Sequence, residues 1–187
     1  MKRIYRVFLI LGVSTTIGVV TYACTIQTHP RDSQSFYQQG KKKLQKRDYQ
    51  GAINDFNQAL AVNHNYAEAH VNRGIVYDEL GNIRQAIEDY NQAISLNPNL
   101  AEAYYNRGNT YNQLGDFKQA IKDYDQAISI NPKYTYAYAN RSTTYYSLGK
   151  KQEAIEDLQK AVKLFEEKGD QLNKQRVLKQ MEKFQRQ

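Results

Sequence analysis

The sequence contains no tryptophan, one cysteine, three histidines and three prolines in 187 residues. A lone cysteine, Cys24, excludes an intramolecular disulfide, so folding cannot depend on one. His29, His64 and His70 lack the spacing of a metal site, and neither a metal nor a cofactor is expected. No Ser/His/Asp set and no glycine-rich phosphate loop occurs, so no enzyme is expected. Without tryptophan, aromatic packing falls mainly to 16 tyrosines, whose hydroxyls must find partners. That points to partly buried rings.

The net charge of +7 raises the question of nucleic acid or an anionic membrane. The charge sits at the two ends of the chain. Residues 1–30 carry Lys2, Arg3 and Arg6, and residues 31–50 add a basic run of Lys41, Lys42, Lys43, Lys46 and Arg47. Residues 51–149 are mildly acidic and residues 150–187 basic again. The first basic run lies next to a membrane-targeting segment, so a solvated cap or a lipid contact is the natural reading, and nucleic-acid binding is not expected.

That segment is the N-terminus. Lys2, Arg3 and Arg6 precede an uncharged, largely apolar stretch from Val7 to Ala23, the pattern of a secretory signal or signal anchor over residues 1–24. The positive flank predicts export of the chain beyond it. Small Ala23 before Cys24 resembles a bacterial lipoprotein signal, in which the cysteine is lipidated, although Thr21 and Tyr22 depart from the usual Leu and small residue. An uncleaved anchor of about 17 residues is the alternative. Residues 25–32, with Pro30, read as a tether.

Past the tether the chain repeats every 34 residues without insertion, in units 33–66, 67–100, 101–134 and 135–168. Small residues recur where two helices must approach closely: Gly40, Gly74, Gly108 and Ser142 at unit position 8, and Ala52, Ala86, Ala120 and Ala154 at position 20. Position 27 is Ala59, Ala93, Ala127 and Ala161, while position 24 is Phe56, Tyr90, Tyr124 and Leu158. Gly81, Gly115 and Gly149 end the first helix of their units, and Pro98 and Pro132 stop the second.

This pattern of glycine, tyrosine, alanine and proline resembles the tetratricopeptide repeat. The resemblance implies an all-α, right-handed superhelical solenoid of four helix-turn-helix units, with amphipathic residues 169–187 as a C-terminal capping helix. The first unit departs from the pattern, with Gln39, Lys43, Arg47 and His64 at positions 7, 11, 15 and 32, as an end repeat does. Position 7, usually leucine in the family, is Arg73, Arg107 and Arg141. Position 23 is Asp55, Asp89, Asp123 and Asp157, so a ladder of structural ion pairs is expected, rather than arginines that grip an acidic ligand.

In the family, positions 2, 5, 6, 9, 12 and 13 line a concave groove that holds partners. Here the resemblance assigns to it Tyr37, Lys41 and Gln45; Val71, Asn72, Ile75 and Asp78; Tyr105, Asn106, Asn109 and Asn112; and Tyr136, Asn140, Thr143 and Tyr146. Tyrosine and asparagine suit an extended peptide, the one through apolar area, the other through main-chain hydrogen bonds. The family's clamp for heat-shock protein tails needs basic residues where this chain has Tyr37 and Glu102, so such tails are not expected. The expected function is a membrane-tethered adaptor for another protein at the cell envelope. Self-association through repeat ends is the first alternative, and a basic surface for nucleic acid or lipid ranks behind it.

Overall fold

The computed structural model describes residues 32–186, and in them nine helices and no strand. The leader at 1–24, Cys24 and nearly all of the tether lie outside the described residues. Among those described, no helix is long and apolar enough to cross a membrane.

The helices come in pairs: α1 (Ser33–Gln45) with α2 (Tyr49–Val62), α3 (Ala67–Glu79) with α4 (Ile83–Leu96), α5 (Ala101–Gln113) with α6 (Phe117–Ile130), and α7 (Thr135–Ser147) with α8 (Lys151–Glu167). A ninth, α9 (Gln171–Arg186), packs on α8. Each pair packs within itself and then onto its neighbour, and the first helices of successive units also touch one another. Contacts are therefore local along the array, as in a solenoid.

Each hairpin closes on one repeated fit. A Cβ added to Gly40 would lie 2.6 Å from the Phe56 ring, one on Gly74 2.7 Å from Tyr90, and one on Gly108 3.0 Å from Tyr124. The ring at position 24 thus occupies the space a side chain at position 8 would need. In the fourth unit the partner is Leu158 rather than a ring, and Ser142 fits there, donating to the Ala139 carbonyl at 2.6 Å. The alanines at positions 20 and 27 are fully buried in all four units, which brings the helix axes together.

The turns follow from backbone chemistry. Gly81, Gly115 and Gly149 have φ of +76°, +78° and +75°, the left-handed region open to glycine. Arg47 holds the same place in the first unit at φ +58°. Asp48 and Asp116 then cap α2 and α6, accepting from Gly51 N–H and Gln119 N–H at 3.0 and 3.1 Å. Asn63, Asn97 and Asn131 end the second helices, each accepting from the backbone N–H two residues on.

Candidate functional site

The first helices α1, α3, α5 and α7 form one face, and hydrogen bonds stitch them together. Asn72 donates to the Tyr37 hydroxyl at 3.2 Å, and Asn140 donates to the Tyr105 hydroxyl at 3.1 Å. Thr110 donates to Asp78 at 3.2 Å, and Thr144 to Asn112 at 2.8 Å. A position-6 amide thus binds a position-5 hydroxyl one unit back, and a position-10 hydroxyl binds a position-12 side chain.

This stitching divides the residues assigned to the groove. Val71 is fully buried and belongs to the core. Tyr37 is buried against Phe56 and Tyr66, which pushes its hydroxyl up to about 12. Asn72 spends its amide hydrogens on Tyr37 and the Glu68 carbonyl, and Asn140 on Tyr105 and Asn109. Asn106 differs, because the position-5 residue one unit back is Val71, which has no hydroxyl; among the described residues its amide bonds only the Glu102 carbonyl, at 2.9 Å.

At the far end α9 lies over the fourth unit's share of the face. Phe184 stacks on Tyr146 at 3.8 Å, Gln180 donates to Thr143 at 2.8 Å, and Asn173 donates to the Tyr136 hydroxyl at 3.3 Å. Tyr136 is still 47% exposed, with its ring edge on Phe165.

What remains open is centred on α5. Asn109, Asn112, Gln113, Asn140 and Thr143 line a hollow of about 330 Å³ with Tyr124 beneath. The Tyr124 hydroxyl and the Asn140 amide both donate to Asn109 Oδ1, at 2.8 Å each, so the Asn109 –NH2 is turned away from them. Neither the Asn109 nor the Asn112 amide nitrogen donates to a described residue. Tyr105, paired with Tyr134 at 4.8 Å, borders the same stretch, and Ile75 and Lys41 stand half-buried on α3 and α1.

The arginines lie elsewhere. Arg73 donates Nε and Nη2 to Asp89 at 2.8 and 2.7 Å, Arg107 does the same to Asp123 at 2.8 and 2.7 Å, and Arg141 to Asp157 at 2.7 and 2.6 Å. Burial pulls the Arg107 guanidinium down, but the hydrogen bonds and charge of Asp123 more than offset it, and the net direction is up. Asp55 has no such arginine; Lys43, at position 11 where the other units have Tyr77, Tyr111 and Tyr145, reaches it at 2.7 Å and takes the arginine's place.

Sequence reasoning missed the arginines' third contact. Nη1 of Arg73, Arg107 and Arg141 crosses to Asn57, Asn91 and Asp125 of the preceding unit at 2.6, 2.5 and 2.5 Å. The signal was present, an Asn or Asp recurring at position 25. His70, in the slot of Tyr104 and Tyr138, adds its Nδ1 to Asp89 at 2.9 Å.

Comparison with known proteins places this geometry. Models of the tetratricopeptide repeat match residues 101–134 and 135–168, and a related repeat model matches 34–81 and 76–115. No curated protein matches. A crystal structure of MamA is 27% identical and covers 76% of this chain and 83% of that one, with a TM-score of 0.69. Another MamA structure is 26% identical, covers 82% and 92%, and has a TM-score of 0.63. The first such domain of Spaghetti (RPAP3), bound to the HSP90 peptide SRMEEVD, shares the fold at 22% identity, covering 66% of this chain and 98% of that one at a TM-score of 0.61. With all four helix pairs of the array falling within matched repeats, the chain belongs to the tetratricopeptide repeat family.

Proposed function

We propose that the protein is a non-enzymatic adaptor that holds an extended segment of another protein against the face of its first helices, over α1, α3 and α5. The observation that carries this reading is the hollow on α5, where the amides of Asn109 and Asn112 have donors to spare beside the Tyr105 ring. An extended chain offers carbonyls at regular intervals, and uncommitted amides on a stiff helix meet them at little cost in ordering. A heat-shock tail, which the Spaghetti domain binds, is not the segment proposed here, because Glu102 stands where the clamp requires a cation.

The setting proposed is the cell envelope. Lys2, Arg3 and Arg6 followed by the apolar stretch support tethering to a membrane with the repeats exported, through lipidated Cys24 or an uncleaved anchor. There the adaptor assists assembly of a complex. The test is crosslinking of the full chain in its native membrane, with the crosslinks mapped by mass spectrometry. Crosslinks near Asn109 and Tyr105 that vanish in Asn109→Ala/Asn112→Ala support groove binding; recovery of the same partner by both proteins overturns it. The mass of the N-terminal peptide decides between lipid and helix anchor.

A further inference from the structure

The open part of the face is not uniform. Along the C-terminal half of α5 it is amide-rich, but at the N-terminal ends of α3 and α5 it is acidic and aromatic. Glu68 and Glu102 occupy position 2 of adjacent first helices, both exposed, and neither carboxylate has an ion-pair or hydrogen-bond partner among the described residues. Asp78, on the same helix as Glu68, has one carboxylate oxygen on Thr110 and the other buried without a partner. Tyr37 with Tyr66, and Tyr105 with Tyr134, form two ring pairs at 4.8 Å, one in the first unit and one in the third. Glu68 and Glu102 both act on the Tyr37 hydroxyl, and Glu102 acts on that of Tyr134, so the acids lie among the rings.

A cation already sits in this surround. The Lys41 ammonium lies 5.5 Å from the centre of the Tyr37 ring. The Glu102 carboxyl beside it is held above its ordinary range, chiefly because the surrounding packing screens it from solvent, with Lys41 opposing the shift and Glu68 adding to it. One lysine stands beside two acids, Glu68 and Glu102, so this spot keeps a negative balance although the chain as a whole is basic.

We propose that this part of the groove takes an arginine or lysine side chain of the bound segment, its charge set against Glu68 and Glu102 and its stem laid on the tyrosine rings. The inference rests on the groove reading and names the chemistry of its occupant: an extended peptide with a basic residue. Carboxylates supply the Coulomb attraction and ring faces supply cation–π contact, the two interactions Lys41 makes in the free protein. The bound cation displaces Lys41. The attraction comes from Glu68 and Glu102 themselves and not from the net charge of the chain, which is basic.

The test uses the full-length chain and three fluorescein-labelled decapeptides that differ only in bearing lysine, glutamine or glutamate at alternate positions, followed by anisotropy. The lysine peptide binds most tightly, and added salt weakens it. Glu68→Gln/Glu102→Gln weakens it about tenfold and leaves the glutamine peptide unchanged. Lys41→Gln removes the resident competitor and tightens the lysine peptide, an effect that loss of fold cannot produce. Equal binding of the lysine and glutamine peptides, or a lysine peptide indifferent to both variants, overturns the proposal. If the glutamine peptide binds and is lost in Asn109→Ala/Asn112→Ala, the groove reading survives that result; if no peptide binds, or none responds to any variant, both fall.

Discussion

Arg107 and Asp123 form a two-pronged ion pair at 2.7 and 2.8 Å across the third unit, with Asp123 only 2% exposed. A further hydrogen bond of the guanidinium, to Asn91, ties that unit to the second. Removing the arginine leaves a buried carboxylate with nothing to balance it. Arg107→Ala is therefore expected to destabilise the fold by about 3–5 kcal/mol, while Arg107→Met/Asp123→Leu regains most of the loss because both desolvation costs disappear together. Urea denaturation of the two variants followed by circular dichroism checks this. Equal losses in both would show that the cost does not come from an orphaned carboxylate and that apolar side chains cannot replace the pair.

The Arg47 backbone sits at φ +58°, where the three other units have glycine. An L-residue there brings its Cβ close to the carbonyl oxygen, a cost that glycine does not carry. Arg47 is exposed and its side chain makes no hydrogen bond or ion pair with the described residues, so little opposes its removal. Arg47→Gly should stabilise the protein by about 0.5–1 kcal/mol. A thermal melt that falls instead of rising would refute the strain argument.

Much of this was legible in the sequence, and the parts that were not share a cause. Gly108 and Tyr124 recur at fixed spacing because one fit repeats in every hairpin, so periodicity exposes it. The use of side chains within the groove face is set by pairs between units, and those pairs vary from unit to unit. Asn72 and Asn140 are occupied by Tyr37 and Tyr105, while Asn106, at the same position, is not, because Val71 stands where a tyrosine would be. A column read on its own cannot reveal that. Likewise, the charged sequence of 169–187 reads as a capping helix, but which groove residues it would cover depends on its register against α7.

Asp78 offers a test through pH. Burial raises its carboxyl above the ordinary range, with Glu79 adding to the shift and the Thr110 hydrogen bond opposing it. The folded state then holds this proton more tightly than the unfolded chain does. The group's contribution to stability is therefore fully present below the ordinary carboxylate range and is lost as pH rises through the higher folded value. At neutral pH Asp78 is a burden, and one of its oxygens is buried without a partner. The third unit solves the same contact with a neutral side chain, Asn112 accepting from Thr144 at 2.8 Å. Asp78→Asn should stabilise by about 1 kcal/mol at pH 7, with the gain vanishing in acid. Melting temperatures of both proteins across pH 3–8 check the sign; a gain that grows in acid would contradict it.

Phe184 lies nearly parallel to Tyr146, with 5° between the ring planes, and is itself buried beside Val177 and Phe165. Removing the ring opens a cavity between α9 and the last helix pair, at a cost of about 3 kcal/mol. Because each helix pair packs only on its neighbours, the loss should stay local. In Phe184→Ala, amide hydrogen exchange should accelerate in α9 and then in α7 and α8, and the rates in α1–α4 should remain at their original values. Faster exchange throughout would mean that the array unfolds as one cooperative block. Local release would also uncover Tyr136, Thr143 and Tyr146, lengthening the open face by one unit. Under that outcome, α9 sets how long a segment the groove can hold.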